Sequence, residues 1–112
     1  MIQAAPVEIA LRSGKHTVRG EVYGIWAVTP AAYQEREGAE LTLVRAAWRV
    51  THVPTGYGVT ADKFFSKAAA RRIAKRYHAE LDQEFWATHK AGNPIPSEQD
   101  KLAQRIRNEE GD

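Results

Sequence analysis

The sequence predicts an α+β fold: a three- to four-stranded antiparallel sheet packed by one long helix, plus a short C-terminal helix. Three observations predict it. Apolar residues alternate with polar ones over Val7–Leu11 and Leu41–Val53, the period of a half-buried strand. Ala70, Ile73, Ala74, Tyr77, Leu81 and Phe85 recur at helical spacing. Turn chemistry then punctuates the chain at Ser13-Gly14-Lys15, Pro54-Thr55-Gly56 and Lys90–Pro96.

The elements follow in order. Val7, Ile9 and Leu11 alternate with Glu8, Ala10 and Arg12 in a first strand. Beyond the Ser13–Lys15 turn, Val18, Val22, Trp26 and Val28 keep one face of a second strand apolar. Gly20 and Gly24 share that face and suggest a bulge, a bend or the close approach of another element. Pro30 is expected to end this strand, and Ala31–Glu40 to form a polar connection. In the next strand Val44, Ala46, Trp48 and Val50 form one face, while Arg45, Arg49 and Thr51 form the other. The Pro54–Gly56 turn leads into a shorter return strand at Tyr57–Thr60. Ser66 is placed to cap the long helix. Gly92, Pro94 and Pro96 end it, and Ser97 with Asp100 opens the last helix in a variant capping box. Leu102, Ala103 and Ile106 form its contact stripe, and the final Asn108–Asp112 is expected to fray. Residues 1–92 make the sheet and helix; residues 93–112 add the C-terminal helix to the same domain.

Composition narrows the class. The 112 residues are 43% hydrophobic and 27% charged, ordinary for a globular domain. There is no cysteine, hence no disulfide framework, thiolate zinc site or cysteine nucleophile. No apolar run approaches the roughly 18 residues of a membrane span, and the opening lacks the pattern of a secretory signal. A cytoplasmic protein with no membrane contact is expected. Charge is local: residues 1–60 carry +1, residues 61–79 carry +5 and residues 80–112 carry −4.

The basic block falls on the long helix. Lys67, Arg71, Arg72, Lys75 and Arg76 occupy its first half, whereas Glu80, Asp82 and Glu84 follow. That order opposes the helix macrodipole, which favours anions early and cations late. The arrangement therefore weakens the isolated helix, and an anionic partner is the simplest reason for it. The competing reading is a solvated face that tolerates the penalty.

The segment "FFSKAAARRIAKRYHAEL", entered from a strand, resembles the sheet-to-helix segment of double-stranded-RNA-binding domains. It is similar as well to the arm-type DNA-binding domains of tyrosine recombinases. Ser66 and Lys67 match the serine–lysine that opens the helix, with Arg71 as a loose equivalent. The resemblance covers 18 of 112 residues and implies phosphate contacts from the helix start. The chain lacks the first helix of the RNA-binding family.

The strands supply a second cationic group, Arg45 and Arg49, with Arg12 and Arg19 near them if the strands pair in sequence order. Tyr23, which alternates with Arg19 and Glu21, and Tyr57 read either as exposed aromatics or as edge aromatics packed under the C-terminal helix. Cations among exposed aromatics suit phosphate contact with base stacking, and equally a protein interface. His52 lies near the turn without an evident catalytic constellation, and no His-x-x-x-His or Glu-x-x-His pair occurs. Neither catalysis, a cofactor nor a metal is expected. The leading reading is a small non-enzymatic module that binds nucleic acid through the basic half-helix. The alternative is an adaptor or inhibitor of a nucleic-acid-processing protein complex; size and style resemble phage and mobile-element products such as anti-CRISPR and anti-restriction proteins. A homodimer is compatible with both.

Overall fold

The computed structural model describes residues 3–11, 14–36, 38–59, 64–90 and 92–111. Four strands, β1 (Gln3–Leu11), β2 (Gly14–Tyr23), β3 (Trp26–Tyr33) and β4 (Thr42–His52), form one antiparallel sheet in the order β1-β2-β3-β4. Three helices follow: α1 (Lys67–Glu80), α2 (Gln83–Thr88) and α3 (Ser97–Glu110). The α+β class and the meander are as the sequence predicts. Arg12 and Ser13, in the first expected turn, lie outside the described residues, as do residues 60–63 at the end of the expected return strand.

What reads as one strand from Val18 to Val28 is a hairpin. Tyr23 pairs with Trp26 across a two-residue turn, in which Gly24 takes φ +64°, as the first position of a tight hairpin turn requires. Residues paired across strands share a face, so the turn moves the apolar positions from one face to the other. Val18 and Val22 lie on one face; Tyr23, Trp26 and Val28 lie on the opposite one with Glu21. Pro30 does not end β3. It pairs with Trp48 beside a break in register, where the missing proline N–H costs no ladder bond.

Between Leu43, opposite Ala32, and Trp48, opposite Pro30, β4 carries extra residues that leave the ladder. Ala46 sits in this bulge at φ +58°, a left-handed conformation costing about 1 kcal/mol or more for an L-residue with a side chain. The expected face Val44–Ala46–Trp48–Val50 is therefore cut in two: Val50 is buried and Trp48 half-buried, but Ala46 is exposed.

The two sheet faces are covered differently. On the face bearing Trp26, Val28, Val50 and His52, the helices supply Ala70, Ile73, Ala74, Tyr77, Trp86, Ala103 and Ile106 to form the main core. The Trp26 ring is fully buried, edge-on to Tyr77 at 5.0 Å and to Trp86 at 5.5 Å. Its indole N–H donates to Gln83 Oε1 at 3.1 Å. Trp48 sits at the rim of this core, half-buried. The other face curls on itself. The Ala10 N–H donates to the Gly56 carbonyl at 2.8 Å, tying the end of β1 to the turn after β4. Gly20 permits the curl: a Cβ there would lie 3.0 Å from Val7 Cγ2 and 3.1 Å from Thr29 Cγ2.

The long helix is interrupted. Leu81 leaves helical geometry at ψ 157°, and Asp82 accepts from the Phe85 N–H at 3.2 Å to start α2 afresh. Gln83 Nε2 donates to the Tyr77 and Leu81 carbonyls at 2.7 and 2.6 Å, satisfying the broken end. Ser66 caps α1 through the Ala69 N–H, as expected. α3 begins at Ser97, but without a side-chain cap. Its end does not fray: α3 is helical to Glu110, with the Gly111 N–H bonded to the Arg107 carbonyl at 2.8 Å. No described helix is long and apolar enough to cross a membrane.

Candidate binding trough on the open half of the sheet

The α1 cations have partners inside the molecule. Arg71 donates twice to Glu21 on β2, from Nε at 2.7 Å and from a terminal nitrogen at 2.6 Å. Lys67 stands 3.7 Å from the same carboxylate. Arg76 binds Glu80 at 2.6 Å, Glu109 at 2.6 Å and Glu110 at 3.2 Å. Arg72 reaches the Glu110 carboxylate at 3.4 Å and its carbonyl at 3.0 Å. Of the five, only Lys75 has no described carboxylate within reach. The charge order that opposes the helix dipole is thus matched by carboxylates from β2 and α3. These pairs give the competing reading, a face that tolerates the dipole penalty, its physical basis. The Arg71 hydrogen bonds hold the Glu21 carboxyl below its usual range, and Arg76 does the same for Glu80.

The expected strand residues separate. Tyr23 is buried in the main core, and its hydroxyl has no hydrogen-bond partner among the described residues. Its exposed reading assumes an unbroken strand, and the Gly24 turn removes that. Burial pushes its pKa up. Arg45 and Arg49 do not share a site. Arg49 pairs with Thr29 on the curled face and lies 4.9 Å from the Phe64 ring centre, its Nε buried without a hydrogen-bond partner among the described residues. Arg45 is exposed in the Ala46 bulge. Tyr57 is exposed beside a separate cavity of about 200 Å³, also lined by His52, Trp86, Ile95 and Arg107.

His52 is fully occupied. Its Nε2 lies 2.6 Å from the Trp86 carbonyl, which can only accept, so this nitrogen carries the proton. Nδ1 then accepts from the Thr55 hydroxyl at 2.8 Å. Burial lowers the His52 pKa and keeps the ring neutral. The imidazole clips the Pro54–Gly56 turn to the end of α2.

A different arrangement emerges where α1 leaves the sheet uncovered. Two adjoining hollows, of about 290 and 550 Å³, share Arg19 and Trp48. Together they form a trough lined by Pro30 and Trp48 and, beside Lys67, by the Glu21 carboxylate that Arg71 holds. β2 provides one wall with Arg19, and the Ala46 bulge provides the other with Arg45. Lys67, the first residue of α1, closes one end, its ammonium 4.6 Å from the Trp48 ring centre. No acidic residue occupies the first turn of α1, so the helix dipole adds positive potential to this end. Among the described residues, neither Arg19 nor Arg45 has a carboxylate within 4 Å. Leu43 lines the trough and Tyr33 stands nearby on β3, and they are 55% and 46% exposed.

Of the residues singled out in the sequence, the trough unites Lys67 and Arg45. It adds Arg19 and Trp48, which the expected site omits. The phase of Arg19 with Glu21 is visible in the sequence; the missing piece is the hairpin that turns this face of β2 toward the helices. No protein family, curated protein or solved structure matches this chain.

Proposed function

We propose that this chain is a small nucleic-acid-binding module whose contact surface is the trough, not the α1 face. One observation carries the reading. Arg19 and Arg45, without a carboxylate partner among the described residues, line a hollow together with a half-buried tryptophan near the positive end of a helix. Guanidinium groups on both walls suit phosphates, and an aromatic ring beside them suits a base or sugar. The α1 arginines hold the fold together and shape the field from behind. Such a partner would be met in the cytoplasm.

Titration of a labelled oligonucleotide by fluorescence anisotropy tests the reading. Arg19→Glu and Arg45→Glu should each weaken binding about tenfold or more, since each replaces attraction with repulsion at a phosphate. Lys75→Glu, on the exposed side of α1, should leave affinity within about twofold. Equal losses from all three variants would mean general charge attraction without a defined site, and would overturn the assignment.

A second reading is favoured by Leu43 and Tyr33. Exposed apolar side chains beside guanidinium groups are the composition of a protein interface. On that reading the chain is an inhibitor or adaptor of a nucleic-acid-processing complex, its trough seated on a protein. Pull-down from a lysate with and without nuclease separates the two: a stoichiometric protein retained after nuclease supports the second.

A further inference from the structure

We infer that Trp48 is a stacking platform for an unpaired base and that Lys67 is its displaceable cover, so the trough selects single-stranded over duplex nucleic acid. The inference rests on the nucleic-acid reading of the trough and adds the class of strand.

Trp48 is held as a platform must be. Its backbone exchanges two hydrogen bonds of 2.9 Å with Phe65, and it pairs with Pro30 on β3. One side of the indole packs against the main core, and Lys67 lies over the ring. The ring is thereby fixed before any ligand arrives, which limits the ordering cost of stacking.

Lys67 is the group that can move. Besides its place over Trp48, its ammonium makes a long 3.7 Å contact with Glu21, and its side chain is 42% exposed. Arg71 holds the same carboxylate through two short bonds. Swinging Lys67 away therefore leaves Glu21 compensated. An ammonium over an indole is a cation–π contact, worth little at an exposed site. A base on the same ring gains stacking, and the released ammonium gains a phosphate. The exchange replaces two weak contacts with two stronger ones.

The walls point to the same strand class. Arg19, from β2, and Arg45, from β4, line the same hollow as Trp48, where they can meet the phosphates flanking one stacked base. A paired base cannot offer its face to the indole without leaving its own stack. Duplex would meet only the rims of the trough.

The test compares oligothymidylate, a duplex of equal length and an abasic single strand of equal length, titrated against wild type, Trp48→Phe and Trp48→Leu. Wild type should bind oligothymidylate about tenfold or more tightly than either the duplex or the abasic strand. Trp48→Leu should lose that preference and bind all three alike, whereas Trp48→Phe should retain most of it. Circular dichroism and thermal melting confirm that both variants are folded. If wild type binds duplex and single strand equally, or if Trp48→Leu binds oligothymidylate like wild type, the stacking inference falls while the nucleic-acid reading stands. If wild type binds none of the three, both fall.

Discussion

Glu21 on β2 holds Arg71 on α1 through two parallel hydrogen bonds of 2.7 and 2.6 Å, across fifty residues of sequence. This pair fastens the helix to the hairpin strand and neutralises the carboxylate that lines the trough. Arg71→Glu should therefore lower the melting temperature, because two carboxylates would then face each other. The exchange Glu21→Arg with Arg71→Glu should recover part of the loss. A charge-reversed Arg71 variant as stable as wild type would show that the pair contributes nothing to docking.

The tryptophans should differ sharply in their structural weight. Trp26 is wholly enclosed, so Trp26→Ala should cost about 3–5 kcal/mol in denaturant unfolding. Trp48 is half-buried at the rim, and Trp48→Ala should cost clearly less. Equal costs would place Trp48 in the core and leave the trough without its aromatic ring.

At Gly56 two constraints coincide. Its φ is +77°, and an added Cβ would lie 3.0 Å from the Glu8 carbonyl oxygen and 3.1 Å from the Ala10 nitrogen. Gly56→Val should destabilise by more than about 1 kcal/mol and loosen the closure of β1 against the turn. Faster hydrogen exchange at the Ala10 amide would report that loosening directly. Unchanged exchange in the variant would contradict it.

Acid should act through His52. Burial depresses its pKa in the folded state, so below the unfolded value of about 6.5 the unfolded chain binds a proton that the folded chain does not. The stability that neutral His52 contributes is complete above that pH and declines as pH falls toward the depressed folded value. Denaturant unfolding across this window should show the decline, and His52→Gln should flatten it. The depressed carboxyl of Glu21 adds a second loss at lower pH, below its unfolded value of about 4.3, by the same sign. A profile unchanged by His52→Gln would remove His52 as the sensing group.

Much of the fold was legible because the relevant signals are local. Val7–Leu11 alternates and pairs as a strand; Ser66 caps α1, and Ser97 opens α3. The hairpin at Gly24 was not legible, because apolar residues continue on both sides of the turn and a two-residue reversal leaves the alternation looking unbroken. That reversal decides whether Tyr23 is a surface contact or a core residue. The break after α1 had a sign, Asp82 in the middle of an apolar stripe, where it caps a new helix. Ion pairs are another matter. The sequence displays Arg76 with Glu80 four residues on, but not Arg71 with Glu21 or Arg76 with Glu109. Those pairs depend on the docking of β2 and α3, so the basic half-helix looked unsatisfied. The trough depends on the Ala46 bulge, which carries no glycine to announce its left-handed backbone.

The central claim is that Arg19, Arg45 and Lys67 meet phosphates in the trough, and the dependence of affinity on salt measures that most directly. For a single-stranded oligonucleotide, three such contacts predict a log–log slope of about −2. The slope should shrink to less than about −1 in magnitude when Arg19 and Arg45 are both replaced by alanine. A wild-type slope near zero, or one that the double replacement leaves unchanged, would contradict the account.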